Sequence, residues 1–399
     1  MSKRLHLRIT AAAEAAVKGG HPWIFNESVR EQNRSGKTGE LAIIFDRQNR
    51  FLGVGLFDNE SPLRVRILHK GTPVQIDHSW WTSHLDKAVI FREKHFASDT
   101  TGYRLLHGEN DGWPGLVLDR YGETLCLKLY TAAWFQWLPM IISVLSNRFP
   151  SKRIVLRLSR NIMSAAQQHD LTDGSIIFGE EIDEPVIFLE NGLQFYSEVQ
   201  KGQKTGFFLD QRENRQRVRE ISTGRKMLNV FSFSGGFALN AAAGGATQAT
   251  DLDISAHALH AAENNFRLNA NHPQISKCLH QTIQADAFEF LAASSNPKYD
   301  LIVLDPPSLA KRESERAEAI KAYAGLVRGA LRQLQTPGCL VAASCSAHVS
   351  SDEFFQIVRA TIAARNISFQ EMGTTLHPVD HPARFKEAHY LKAIYLEVK

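Results

Sequence analysis

From residue 186 to the C-terminus, short apolar runs alternate with amphipathic stretches, and this alternation restricts the fold more than any other feature of the chain. Residues 227–231, 248–253, 300–304 and 339–344 read as strands, and residues 237–243, 256–269 and 317–334 as helices. The run Leu301-Ile302-Val303-Leu304 is apolar at every position, as expected for a strand covered on both faces. Strands separated regularly by helices predict an α/β domain on a doubly wound parallel sheet. Asn191-Gly192, between two alternating runs, marks a two-residue hairpin, because both residues tolerate positive φ.

Two further regions precede it, so the expected domains are 1–72, 73–185 and 186–399, in line with a prior of two or three domains for 399 residues. The first reads as β-rich, with strands at 41–45 and 51–57 around a turn at 46–49. Residues 63–68 alternate with period two and put Arg64 and Arg66 on one face. That face is either solvated or a phosphate-contacting strand. Residues 73–99 have helical character. A small α+β region follows, with strands at 116–119, 124–130 and 153–158 and a helix at 134–145.

Hydrophobic residues at 43% and charged residues at 22% exclude a disordered chain. The four cysteines, Cys126, Cys278, Cys339 and Cys345, form no CxxC pair, which argues against a disulfide scaffold or a zinc site. No metal is expected, and the reducing cytoplasm is the default compartment. Glu14 interrupts the only apolar stretch near the basic N-terminus, and Gln136, Pro139 and Ser143 interrupt the greasiest internal segment, so neither a signal peptide nor a membrane span is expected. A formal charge of +4 (46 Lys+Arg against 42 Asp+Glu) is too small to argue for nucleic acid unless it gathers on one face.

Ligands of doubly wound sheets sit beyond the carboxyl ends of the strands, where strand order reverses. The first strand of this domain runs into Phe231-Ser232-Phe233-Ser234-Gly235-Gly236. Adjacent glycines allow a sharp turn into the helix and close approach of a ligand. Asp253 ends the second strand and suits the hydroxyls of a ribose; Asp286 is a third acidic tip, suited to an exocyclic adenine amine. A bare tight turn, a dinucleotide site and a nucleoside-type site all fit this much.

The reaction end narrows the choice. Asp305-Pro306-Pro307-Ser308 follows an apolar strand, and two successive prolines make a rigid, extended mouth for a planar substrate. With the glycine turn and the acidic tips in this order, it points to a methyltransferase using S-adenosyl-L-methionine. Ser308 stands where adenine-amino methyltransferases usually carry an aromatic residue. Cys345, in Ser344-Cys345-Ser346, falls at the end of a core strand where the crevice should lie. A thiolate there has a use: its addition to C6 of cytosine makes C5 nucleophilic enough to accept a methyl group. Asp305 is then placed for the N3/N4 edge of the base, and a base within folded RNA would have to be flipped out.

These residues resemble the PUA-domain-containing ribosomal RNA large-subunit methyltransferases, which form 5-methylcytosine in 23S rRNA. The likeness runs through Gly20-His21-Pro22-Trp23-Ile24-Phe25, Gly108 to Gly112, Lys204 to Arg212, Phe231 to Phe237, Asp305 to Pro307, Ser344 to Ser346 and Asp380-His381-Pro382. The resemblance implies an N-terminal PUA-like domain, a Rossmann-like class I methyltransferase domain at the C-terminus, and Cys345 as nucleophile. It places Gly235, Asp253 and Asp286 at cofactor-binding positions and makes 204–212, with Lys204, Thr205, Gly206, Asp210 and Arg212, a segment lining the cofactor pocket. RNA, in all expectation 23S rRNA, is the implied partner, with Arg64, Arg66, Pro306 and Pro307 as contacts; a homodimer is left open. Two other readings compete: a purine N-methyltransferase acting on ribosomal RNA, and a non-enzymatic RNA-binding assembly factor.

Overall fold

The apolar runs of the C-terminal half assemble into one seven-stranded sheet. A computed structural model describes residues 4–182, 185–293 and 298–399. Numbered within this sheet, the strands are β1 (Lys226–Val230), β2 (Gln248–Asp253), β3 (Leu279–Gln284), β4 (Tyr299–Leu304), β5 (Leu334–Ser344), β6 (Phe369–Thr375) and β7 (Lys392–Val398). Their spatial order is β3-β2-β1-β4-β5-β7-β6. The first five are parallel, and β7 runs antiparallel to both neighbours. Leu301, Ile302, Val303 and Leu304 are all buried, as two-face coverage requires.

Strand order reverses between β1 and β4, the crevice where such sheets take ligands. Register brings the motifs to the same edge: Val230 pairs with Leu304, and Leu304 with Ala342. Phe231 and Asp305 therefore leave adjacent strands at the same height, and β5 runs two residues beyond them before Cys345 leaves it.

The sequence reading missed β3, β6 and β7. The first two are edge strands with mostly polar or half-exposed side chains, so no apolar run announces them. The helix Ser351–Ala363 was also missed, although Ser350 and Glu353 close a capping box at its start.

The chain divides into two compact units. One comprises Met1–Glu190, Tyr196–Leu209 and Val379–Phe385; the other comprises Asn191–Phe195, Asp210–Pro378 and Lys386–Lys399. The first holds a six-stranded sheet, ordered Trp23–Ile24, Val65–Lys70, Phe51–Phe57, Leu41–Phe45, Leu5–Ile9 and Val29–Gln32. It also holds a five-stranded sheet of Ile176–Gly179, Arg153–Leu158, Thr124–Leu129, Leu116–Tyr121 and Gly102–His107. The region 1–72 has its own core around Leu5, Leu7, Ile44 and Phe57, while its Leu56 and Leu68 join the core of 73–185 and pack with Trp81, Trp113 and Trp134.

Residues 186–190, 196–209 and 379–385 of the region expected over 186–399 belong to this first unit. Buried polar contacts tie them in: the Thr205 hydroxyl donates to Asp119 Oδ2 at 2.7 Å, and the Asp380 carboxylate accepts from the Arg104 amide at 3.0 Å. The helix expected over 134–145 begins only at Leu138, with Pro139 in its first turn, after a 3-10 segment at Ala132–Trp137. Asn191 and Gly192 take φ of 49° and 80°, as the hairpin signal requires.

Candidate active site

β1 ends in a turn under backbone strain. Phe231, Phe233 and Gly235 have φ of 62°, 47° and 74°, a left-handed conformation that is rare for bulky residues and characteristic of functional turns. The turn is pinned from three sides. Asn265 Nδ2 donates to the Ser234 carbonyl at 2.9 Å, the Phe233 amide donates to Asp253 Oδ2 at 2.9 Å, and the Ser232 amide donates to the Leu252 carbonyl at 3.1 Å. A Cβ on Gly235 would lie 2.7 Å from Ala262 Cβ and 2.8 Å from Asp251 Oδ2, so glycine is required there. The helix Gly236–Ala243 starts directly after it.

This turn fits an aminoacyl nucleoside. The hydroxyls of Ser232 and Ser234 are buried without a hydrogen-bond partner, as expected of groups awaiting a polar ligand. Asp253 sits at the tip of β2, one oxygen bonded to the Phe233 amide and the other to the Ser255 amide at 2.9 Å. Asp286 caps the helix Ala287–Ala293, its Oδ1 accepting from the amides of Phe288 and Glu289. Phe288, 41% exposed, meets Phe231 edge-on at 6.0 Å, and the pair offers an apolar platform beside Asp286. The sequence reading missed Ser232 and Phe288, although both lie within or two residues from motifs it had singled out.

Across the switch point, Asp305 follows β4. Gln211 Nε2 donates to Asp305 Oδ1 at 2.9 Å, so the Lys204–Arg212 motif reaches the Asp305-Pro306-Pro307 loop through a residue not singled out in the sequence. Asp210 accepts from the Tyr390 hydroxyl at 2.7 Å, and Arg212 is buried at the start of the helix Arg212–Glu220. Lys204, Thr205 and Gly206 fold within the first unit: Thr205 is bonded to Asp119 and Tyr121, and the Lys204 ammonium lies 4.7 Å from the Phe208 ring centroid.

Cys345 follows β5, partly exposed, with Sγ 3.9 Å from the Pro306 carbonyl oxygen. Pro306 is buried and Pro307 exposed. The two loops are joined by one buried hydroxyl. Ser346 Oγ accepts from the amides of Leu309 and Ala310 at 3.0 and 3.3 Å and bonds the Tyr323 hydroxyl at 2.8 Å. Tyr323 also bonds Ser344 Oγ at 2.8 Å, and its burial pushes the phenol above its ordinary range. Lys392, at the start of β7, is buried beneath this loop, and desolvation brings its ammonium down to about 8.

The arginines of the first unit are engaged locally. Arg66 Nη1 lies 3.2 Å from Glu109 Oε1, with only 11% of the side chain exposed. Its face is therefore neither solvated nor open, because Glu109 balances the buried charge. Arg64 donates to Asn26 Oδ1 and to the Asp58 carbonyl.

The profile of the S-adenosylmethionine-dependent methyltransferases matches residues 104–394, and that of PUA-like domains matches residues 7–70. The chain belongs to the S-adenosylmethionine-dependent methyltransferase family. It is 52% identical over 402 residues to the "Ribosomal RNA large subunit methyltransferase" of Deinococcus radiodurans, covering 99% of this chain and 98% of that one. The "Ribosomal RNA large subunit methyltransferase I" of Serratia proteamaculans is 31% identical, with 99% of each chain covered. Among solved structures, a protein from Streptococcus mutans described as an S-adenosylmethionine-dependent methyltransferase superposes with a TM-score of 0.80 at 20% identity, covering 98% of this chain and 99% of that one. The fold is thus common to proteins of low identity. The cofactor of the methyltransferase unit is S-adenosylmethionine, and its fit rests on the strained turn, the two unpartnered serine hydroxyls and the acidic tips. Among the described residues, no group of three His, Cys, Asp or Glu side chains could hold a metal ion, and no helix is long and apolar enough to cross a membrane.

Proposed function

We propose that this chain methylates C5 of a cytosine in large-subunit ribosomal RNA, with Cys345 forming a covalent adduct to C6. The single observation that carries this reading is the placement of the Cys345 sulfur: partly exposed, beside the Asp305-Pro306 mouth, at the strand-order reversal that also holds the glycine turn. The names of the relatives and the PUA-like domain support ribosomal RNA as substrate.

Ser232, Ser234, Asp253 and Asp286 would hold the cofactor, which supplies an electrophilic methyl group on a sulfonium. Everything else falls to the chain. The Pro306-Pro307 mouth receives the flipped base, and Asp305, held by Gln211, faces its N3/N4 edge. The Cys345 thiolate adds to C6, forming a C–S bond and shifting the ring electrons onto C5. Once C5 carries the methyl group, loss of its proton and cleavage of the C–S bond restore the aromatic ring and return the thiolate. The mouth supports a pyrimidine over a purine amine, because Ser308 rather than an aromatic ring follows the prolines and its hydroxyl lies 3.4 Å from Ser346 Oγ.

RNA containing 5-fluorocytosine should form a denaturation-resistant adduct with the wild-type protein and none with Cys345→Ala, which should still bind S-adenosylmethionine. Methylated purine without 5-methylcytosine in digested RNA, or full activity of Cys345→Ala, would overturn the proposal.

A further inference from the structure

Lys392 is an unusual residue to find buried. It opens β7 opposite Ser344, the residue before the nucleophile, and only 3% of it is exposed. All three of its ammonium protons go to carbonyl oxygens: Ser346 O at 2.5 Å, Val349 O at 2.6 Å and Tyr390 O at 3.1 Å. A buried cation satisfied only by neutral dipoles is costly, and replacing it by an apolar side chain would ordinarily help the fold. Its burial calls for a compensating role.

The geometry supplies one. Two of the three carbonyls belong to the loop that starts at Cys345, so the ammonium gathers that loop around itself. Of the charged groups around it, Glu353 is engaged by Arg316 and by the Ser350 amide and hydroxyl, Asp305 by Gln211, and the Tyr323 phenol is held neutral by burial. The charge that most favours the ammonium form is an ionised Cys345 sulfur, ahead of Glu353. Attraction between two groups is mutual, so the ammonium favours the thiolate in turn.

We propose that Lys392 is a positioning residue for Cys345: its buried ammonium fixes the loop behind the sulfur and supplies a positive charge that favours the thiolate. This rests on the reading of Cys345 as nucleophile, but its test does not depend on methyl transfer.

The test is the pH dependence of Cys345 alkylation by iodoacetamide, followed by mass spectrometry of the peptide, in the full chain without RNA. In the wild-type protein the midpoint should fall clearly below that of an ordinary thiol, about 8.5. Lys392→Gln keeps donors for the carbonyls but removes the charge, and should move the midpoint up by about one unit, with roughly tenfold slower alkylation at neutral pH. Lys392→Arg should recover part of the shift. S-adenosylmethionine binding and thermal unfolding report whether each variant is folded. A wild-type midpoint at or above about 8.5 overturns the proposal even if no variant folds, and so does an unchanged midpoint in folded Lys392→Gln. Failure of the cytosine reading would appear separately, as absence of the 5-fluorocytosine adduct with the thiol profile intact.

Discussion

Replacing Gly235 by alanine perturbs the glycine turn in two separable ways. At φ of 74° a Cβ meets its own backbone, which costs about 1–2 kcal/mol. The new methyl carbon would also lie 2.7 Å from Ala262 Cβ and 2.8 Å from Asp251 Oδ2. Neither neighbour can yield easily: Ala262 belongs to the helix Ala256–Leu268, and Asp251 is fully buried, bonded to His280 Nε2 at 2.9 Å and to Asn229 Nδ2 at 2.7 Å. Overpacking of this kind costs about 1–3 kcal/mol, so the total is about 2–5 kcal/mol. Gly224 provides the control, since its φ is 75° but a Cβ there meets nothing within 4 Å. Gly224→Ala should therefore lose only the conformational part, about 1–2 kcal/mol. Urea unfolding of both variants isolates the steric part as the difference between them. Calorimetric titration with S-adenosylmethionine should show affinity reduced at least about tenfold for Gly235→Ala, a change of about 1.4 kcal/mol, and little changed for Gly224→Ala. Equal stability losses in the two variants, or unaltered affinity in Gly235→Ala, would refute the assignment of this turn.

Further outcomes follow from the same site and from the first unit. Ser346→Ala leaves the Leu309 amide and the Tyr323 hydroxyl short of a partner, so denaturant unfolding should show a loss of about 1–3 kcal/mol, and single-turnover assays a slower methyl transfer. Lys392 has a folded value of about 8 against 10.5 unfolded; between these the unfolded chain binds the extra proton, so stability rises with pH across that window. The shift, 10.5 − 8 = 2.5 units, corresponds to about 3 kcal/mol, and the stability of wild type relative to Lys392→Met should climb by about that much on going from neutral pH to about pH 10.5; a flat difference would contradict it. Arg66→Met should lower stability by leaving the Glu109 charge with only the Trp23 indole as partner, yet leave the salt dependence of RNA binding unchanged, because the guanidinium it removes is already paired; a slope reduced by about one would instead assign Arg66 to a phosphate.

The parts of the fold legible in the sequence were those governed by local pattern. β2 spans the predicted 248–253, β1 and β4 lie within one residue of prediction, and positive φ at Asn191 and Gly192 follows from residue type alone. The glycine turn and the Asp305 and Cys345 motifs could be placed at strand ends for the same reason. What escaped was non-local. The antiparallel β7 inserts between β5 and β6, an order that no local pattern encodes. Alternation put Arg66 on a sheet face correctly but could not supply Glu109, 43 residues away, which changes a solvated arginine into a buried one. Lys392 carries no signal at all, since a lysine opening a strand reads as solvated until its three carbonyl partners are known.

β7 nonetheless decides whether the site can work. Cys345 is held by the chain that leaves β5, and β5 is set on one side by β4, through Leu304 opposite Ala342, and on the other by β7, through Ser344 opposite Lys392. A slip of one residue in either pairing would move the sulfur by about 3.3 Å along the strand and turn its neighbours to the opposite face. That displacement exceeds the tolerance of every contact joining the two loops, because Ser346 Oγ reaches the Leu309 amide at 3.0 Å and the Tyr323 hydroxyl at 2.8 Å. Sheet register and the placement of Cys345 are thus one property. It explains how a lysine on the antiparallel strand, remote in sequence from the Asp305 and Cys345 motifs, comes to lie against the loop that carries Cys345.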